Sequence, residues 1–418
     1  MVLSTAQQIH SLLEKTSDWD KDERYMATSD LCTELQKDVK IEPQLERRVC
    51  AAVLKQLDDS SNDVQGIAVK CLGILLKKVQ EAQVGEICDK LCTLILEGKP
   101  ELRDIYSIGL KTLISDVPDA TGPSVAKRLT ARLLGGVQKE EAKLECLDNL
   151  TDLMRRFGHE VEPEHNRVIE ALLVQLGQER AVVRKRATAC LGSIAVVLSD
   201  ALLNKLVVHL LAQIKGSDRA DIVRTLIQAI GTISRTVGFR LGRHLDAIVP
   251  LFLKFIGDMD DEDMHTEAAS ELRDNCFQGF ESFVLRCPRE VTPHLDKILD
   301  VVLRFARYDP NYSYDSDDVD AEVGGGQQEE EEDFMEDDFG GGSDDDDTSW
   351  KVRRSALRVV RAIVTTRTER LEWLCGSCCD VLVSRFKERE ENVRVDVFGC
   401  FTSLLEAAGA QDARQRQA

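Results

Sequence analysis

Two short stretches of this sequence hold residue types that could do chemistry. In HEVEPEH, residues 159–165, two imidazoles flank three carboxylates, which are donor types of a zinc site. An H-E-x-x-H pair works because both rings share one helical face. Here the spacing is wrong and Pro163 interrupts the helix, so the stretch reads as a polar turn between helices. In CGSCC, residues 375–379, the C-x-x-C has no second pair at zinc-ribbon spacing and lies inside the helical run LEWLCGSCCDVLVSRF. Thiols on a packed helix face account for it. The seven histidines are scattered from His10 to His294, and DSDDVDAEVGGG, residues 315–326, lacks the ligand order of an EF-hand loop. The glycine runs follow no strand, as a phosphate cradle requires. No catalytic, metal or cofactor site is expected, nor a small-molecule substrate. The chain reads as a non-enzyme.

Charge is the second source of candidate residues. GGGSDDDDTSWKVRRSALRVV, residues 340–360, sets Asp344, Asp345, Asp346 and Asp347 against a helix that opens with Lys351, Arg353 and Arg354. The whole chain carries a formal charge of -20, but residues 309–348 hold 18 Asp and Glu with no Lys or Arg. Without them the chain has 56 acidic and 54 basic residues, so the acidity is local. Such a block repels itself and has little aliphatic content to bury, which predicts a disordered insertion over 309–348. Ser343 has the acidic context of an acidophilic kinase site, where a phosphate would add to the negative charge. A pI near 4.9 argues against general nucleic-acid binding, which needs a basic footprint.

Thirteen cysteines, mostly at apolar positions of helical patterns, predict reduced thiols. The first fifteen residues, MVLSTAQQIHSLLEK, lack a signal peptide's basic start and long apolar run. The most apolar stretch, SIAVVLSDALLNKLVVHLLAQI, is broken by Asp200, Asn204 and Lys205, so no membrane span is expected. A soluble chain, cytoplasmic and nuclear, is the expectation.

These residues must be positioned by a scaffold, and the scaffold shows itself as a repeat. An apolar residue, a basic residue, a small or apolar residue four positions after the first and an apolar or small residue eight positions after it recur. Examples are DVQGIAVKCLG, VVRKRATACLG, ELRDNCFQGF, KVRRSALRVV and NVRVDVFGCF. First positions at Glu23, Val64, Leu102, Ala142, Val183, Val223, Leu272, Val352 and Val393 give gaps of 41, 38, 40, 41, 40, 49, 80 and 41. A period near 40 is that of HEAT and armadillo units. The gap of 80 is one period plus the acidic block, and the gap of 49 holds a shorter acidic loop, GDMDDEDMHTEAAS. Between these segments lie other runs of helical spacing, such as LERRVCAAVLKQL and LDKILDVVLRFA, several begun by a proline (Pro43, Pro123, Pro163, Pro293). The fold class expected is all-α, a HEAT-repeat solenoid of stacked antiparallel helix pairs. Its expected divisions are repeats over 1–308, the acidic insertion over 309–348, repeats over 349–408 and a disordered tail over 409–418.

The recurring basic position (Arg24, Arg103, Lys143, Arg184, Arg224, Arg273, Arg353, Arg394, with Gln65 as the exception) is expected to bridge to acidic residues of neighbouring repeats. Lys185, Arg186, Lys351 and Arg354 lie outside that register. They are candidates for partner contact, together with Asp344–Asp347.

Several phrases are more specific than a generic repeat: RYMATSDL followed by TELQKD, AVKCLG, LRDIYSIGLKT, ESFVLRCP, YDPNYSY, SWKVRRSA and RFKEREENVRVDVF. In this order the chain resembles the amino-terminal part of the cullin-associated and neddylation-dissociated family. The resemblance implies a HEAT solenoid that binds a cullin lacking its ubiquitin-like modifier, together with the RING subunit. It also implies a cover over the lysine that receives the modifier, and a place in substrate-receptor exchange on cullin–RING ubiquitin ligases. About a third of such a protein is represented. The chain is then expected to be a truncated form, an incomplete reading of its gene, or a half that acts with a second chain carrying the carboxy-terminal repeats. The acidic block is expected to compete for basic patches on the partner, drawn back to its own helix start when no partner is present. An importin-β-like transport receptor with an acidic loop, binding Ran and phenylalanine-glycine repeats, is the alternative, and a phosphatase-type scaffold is a third reading.

Overall fold

The computed structural model describes residues 5–37, 42–257, 266–309 and 349–417. The core of the acidic block, 310–348, and with it Ser343 and Asp344–Asp347, lies outside the described residues, as does most of the shorter acidic loop.

The helices come in the predicted pairs. They are α1 (Thr5–Lys15) with α2 (Lys21–Gln36), α3 (Pro43–Gln56) with α4 (Asn62–Leu75), α5 (Glu81–Glu97) with α6 (Arg103–Asp116), α7 (Gly122–Gly136) with α8 (Lys143–Phe157), and α9 (His165–Leu176) with α10 (Ala181–Ala195). There follow α11 (Asp200–Gly216) with α12 (Ala220–Val237), α13 (Leu245–Ile256) with α14 (Glu267–Arg286), α15 (Leu295–Phe305) with α16 (Ser349–Thr366), and α17 (Leu371–Ser384) with α18 (Glu391–Gln417). No strand occurs among the described residues. The long excursion leaves between α15 and α16, inside one repeat, where the doubled period located it. The last helix runs on to Gln417, so the segment from 409 expected as a tail continues α18. Ala407, Ala408 and Ala410 are strong helix formers that favour this continuation.

Local chemistry sets the helix ends. Ser199 and Thr266 cap α11 and α14 by accepting from the backbone N–H of Leu202 and Ala269. Pro43 opens α3 where its missing N–H is harmless. Gly238 ends α12 at φ +58°, a conformation that glycine adopts without steric cost.

The chain divides into two compact units, Met1–Ser217 with Arg235–Val237, and Asp218–Ser234 with Gly238–Ala418. Within the first, the even-numbered helices α2, α4, α6, α8 and α10 pack each on the next, and α1, α3, α5 and α7 do the same. Within the second, α14, α16 and α18 form the even-numbered row. The repeat positions are its core: Ala27, Ala68, Cys146, Ala187, Cys276 and Ala356 are buried at the fourth place, and Leu31, Leu72, Leu110, Leu150, Leu191 and Phe280 at the eighth. Each such leucine contributes about 1.5–3 kcal/mol by leaving water. The first unit is almost wholly aliphatic. The second packs Phe252, Phe277, Phe280, Phe283 and Phe305 into one cluster, with neighbouring ring centroids 5.6–6.5 Å apart. Gly279 makes room for it, since a Cβ there would lie 2.7 Å from the Phe252 ring.

Candidate partner-binding surface

The basic position of the repeat organises the turn inside several of the helix pairs, whereas Arg103 donates to the Glu141 carbonyl of the next repeat and Lys143 to the Glu140 carboxylate. Arg24 donates to the carbonyls of Asp18 and Trp19, Gln65 to Asp59, Arg184 to Gln178 and Glu179, and Arg394 to Glu388. All of these carbonyls lie five or six residues earlier, so Gln65 does the same work as the arginines. Arg353 donates to the Tyr308 carbonyl at 2.9 Å, the equivalent acceptor once the acidic block is subtracted. Arg273 donates to Ile256 across the shorter insertion, its guanidinium 4.8 Å from the Phe305 centroid. The expected bridge to a neighbouring repeat is present as well for Arg24, which forks onto Asp59 at 2.7 and 2.9 Å. Arg224 reaches Glu271. That fork holds the Asp59 carboxyl below its ordinary range, the hydrogen bond from Arg24 being the main cause.

Arg353 carries the most elaborate version. It is fully buried, and its guanidinium meets Glu388 at 3.2 Å, Asp309 at 3.5 Å and the Ser349 hydroxyl at 2.8 Å. Arg385 pairs with Glu388, and Arg389 lies 3.3 Å from Asp309. Asp309 is therefore no part of the solvated acidic block to which the sequence assigned it. Its side chain is a buried partner, 1% exposed, at the base of the excursion. Asp309 and Ser349, the two residues that bound segment 310–348, are both tied to one guanidinium.

The four basic candidates differ in their settings. Arg186 pairs with Asp148 at 2.5 Å, and Lys111 approaches the same carboxylate at 3.8 Å. Burial nonetheless pushes the Asp148 carboxyl up, its two cations only partly offsetting the loss of water. Arg354 pairs with Asp396 at 3.0 Å, with Arg358 3.9 Å from the same carboxylate. These are links between consecutive even-numbered helices in the forty-residue register. Half-exposed pairs of this kind are each worth about 0.2–1 kcal/mol. Lys351 sits over the Trp350 ring at 5.6 Å and is exposed; Lys185 is exposed on α10.

The HEVEPEH stretch makes a 3-10 turn over Gly158–Glu164 between α8 and α9, in which His159 points to Glu160, and His165, the first residue of α9, buries its ring against the Gly158 carbonyl. All thirteen cysteines are free thiols, eleven buried; of CGSCC only Cys378 is buried, while Cys375 and Cys379 are half-exposed. Among the described residues no group of three or more ligand side chains converges as a metal site needs, and no helix is long and apolar enough to cross a membrane.

Exposed apolar side chains are a surface feature that periodicity did not single out. Trp19 is 92% exposed in the turn between α1 and α2, and Phe239 is 74% exposed just after Gly238. Val395, Phe398 and Leu405 are exposed along one face of α18. The available signal was an aromatic residue standing in a turn rather than on a helix face.

No protein-family model matches the sequence. The chain is 42% identical over 411 residues to "Cullin-associated NEDD8-dissociated protein 1" of Arabidopsis thaliana, covering 96% of this chain and 33% of that protein. It is 43% identical over 410 residues to "Cullin-associated NEDD8-dissociated protein 2" of Mus musculus, covering 95% and 32%. An Emericella nidulans protein named as the N-terminal part of the first of these is 26% identical over 297 residues, covering 62% of this chain and 87% of that one. The chain thus spans about a third of the length of the full-size relatives it matches. Among solved structures, Kap121p superposes with a TM-score of 0.61 at 12% identity over 96% of this chain and 38% of its own. Importin beta does so at 0.57 and 15%, over 96% and 47%. At that identity the likeness is one of fold, a HEAT-repeat solenoid.

Proposed function

The chain is homologous, over nearly all its residues, to the amino-terminal part of the cullin-associated NEDD8-dissociated proteins, and from that kinship we propose that it regulates cullin–RING ubiquitin ligases without being an enzyme. It binds a cullin that lacks the ubiquitin-like modifier, along with the RING subunit, and blocks attachment of the modifier by covering the acceptor lysine. The chain spans about a third of the length of the full-size relatives, and we assign receptor exchange to the full-size protein or to this chain acting together with a second one.

The observation that carries this reading is identity of 42% across 96% of the chain. The geometry is compatible with it: rows of helices present long surfaces suited to wrapping a protein partner. Lys185, Arg186, Lys351 and Arg354 lie on even-numbered helices, and the acidic tract emerges near the last two. We assign these residues secondary roles in contact, the tract acting by long-range attraction to basic patches on the partner.

The test is retention of an unmodified cullin–RING pair by the immobilised chain, with the NEDD8-modified pair in parallel, followed by a neddylation assay. Retention of the unmodified pair alone, with slowed modification, is expected. Equal retention of both forms, or of neither, refutes the reading.

A further inference from the structure

The first helix pair presents its turn unlike the others of its unit. Trp19 stands 92% exposed between Asp18 and Asp20. The corresponding turns at 57–61, 98–102, 137–142 and 177–180 contain no aromatic residue. An exposed indole on a mobile loop would mean little, but this turn is held on every side. Arg24 donates to the carbonyls of Asp18 and Trp19, both at 3.0 Å, and the same guanidinium is forked onto Asp59 of the next repeat. Asp18 accepts from the backbone N–H of Asp20 at 2.9 Å, and Asp20 from that of Asp22 at 3.0 Å. The backbone that carries the indole is thus fixed before any partner arrives, which lowers the entropy cost of using it.

The surroundings specify what the partner looks like. Asp18 and Asp20 flank Trp19 in the chain, and Asp22 and Glu23 follow on the first turn of α2, with Lys21 among them and Lys15 3.6 Å from Glu23. Tyr25 and Met26 are exposed on the following helical turn. A large amphipathic side chain at the centre of an acidic rim is the anatomy of an interface anchor: the ring supplies apolar area, and the rim supplies steering and orientation.

We infer that Trp19 is a preorganised anchor that inserts into an apolar pocket bordered by lysines and arginines on a partner protein. Under the function proposed above that partner is the cullin–RING pair, and to this extent the inference rests on that reading. The recognition chemistry itself, an indole with a carboxylate rim against an apolar pocket with a cationic rim, does not depend on it.

Trp19 also supplies its own assay. The chain has three tryptophans, so the difference in acrylamide quenching between the native chain and Trp19→Phe isolates the first. Titrating the unmodified cullin–RING pair should shield that signal, and Trp19→Ala should weaken binding about thirtyfold, equivalent to about 2 kcal/mol. Phe239→Ser removes an exposed aromatic flanked by arginine rather than aspartate, and should leave affinity for the pair unchanged. If the pair binds while Trp19 stays open to quencher and Trp19→Ala binds as well as the native chain, the inference is overturned and the proposed function stands. If the pair does not bind, the proposed function fails, and a short amphipathic Leu–Lys peptide decides the anchor separately. Shielding of Trp19 by that peptide, lost in Asp22→Asn/Glu23→Gln and absent with a Ser–Lys peptide of equal charge, supports the anchor. Absence of shielding, or equal shielding by both peptides, overturns it.

Discussion

Replacing Arg353 by alanine tests whether the excursion is stitched into its repeat as described. In the native chain one guanidinium serves the Tyr308 carbonyl, the Ser349 hydroxyl, Glu388 and Asp309, and both carboxylates are essentially unexposed. The substitution leaves them buried with Arg385 and Arg389 as their remaining cations. Removing one partner from a buried ion pair costs about 3–5 kcal/mol, because the charge left behind stays dehydrated. In a unit of about 200 residues, each kcal/mol moves the melting temperature by about 2–4 °C, so the loss corresponds to roughly 6–20 °C. Arg394→Ala forfeits a bond to the Glu388 carbonyl at 3.3 Å and should cost about 1 kcal/mol. Arg353→Lys keeps the charge without the fork and should fall between them. Differential scanning calorimetry on all three reads the order. A fall of less than about 2 °C for Arg353→Ala would refute the clamp, since loss of even one buried charge-assisted bond exceeds it.

Three further outcomes are expected. Because Arg24 holds the Asp59 carboxyl below its ordinary 3.8, its stabilisation is present above that pH and is lost as pH falls through the depressed folded value. Asp59→Asn should therefore be less stable by about 1.5–3 kcal/mol at pH 7, and urea melts across pH should show the gap closing below 3.8; a gap independent of pH contradicts the pairing. Iodoacetamide on the native chain should label Cys375 and Cys379 before any other thiol. Burial pushes Cys50, Cys88, Cys146, Cys190 and Cys400 up to about 12, and Cys32, brought down to about 7 by a hydrogen bond from Cys71, is buried in the seam of α2 and α4; early labelling elsewhere in a peptide map contradicts the burial. Deleting residues 315–347 should slow association with the cullin–RING pair and flatten its salt dependence, read by stopped flow at two ionic strengths.

Much of this architecture was legible in the letters because it is periodic. Val64, Val183 and Val352 mark their repeats unaided, and Leu72, Leu110 and Leu191 follow eight residues after a first position because two helical turns return a side chain to the same face. What stayed hidden depends on partners that side-chain identity does not encode. The acceptors of Arg24, Gln65, Arg184 and Arg394 are backbone carbonyls, which every residue has, so the rule that unites an arginine with a glutamine could not be read. Asp309 is indistinguishable in composition from the carboxylates after it, although it is buried and they follow outside the described residues. Arg186 and Arg354 stand outside the recurring basic position, so nothing in the pattern pointed to their bridges to Asp148 and Asp396 one repeat away. Trp19 escaped because periodic reasoning ranks helix faces and passes over turns.

The clamp at Arg353 has a consequence for how such a chain can vary over generations. With the entry and exit of the excursion riveted to one side chain, the repeat below does not register how many residues pass between them. Doubling the length of a loop between fixed ends adds only about 0.6 kcal/mol of closure entropy. Lineages are therefore free to lengthen, shorten or recharge that appendage almost independently of the stack that bears it, so long as the rivet itself is kept.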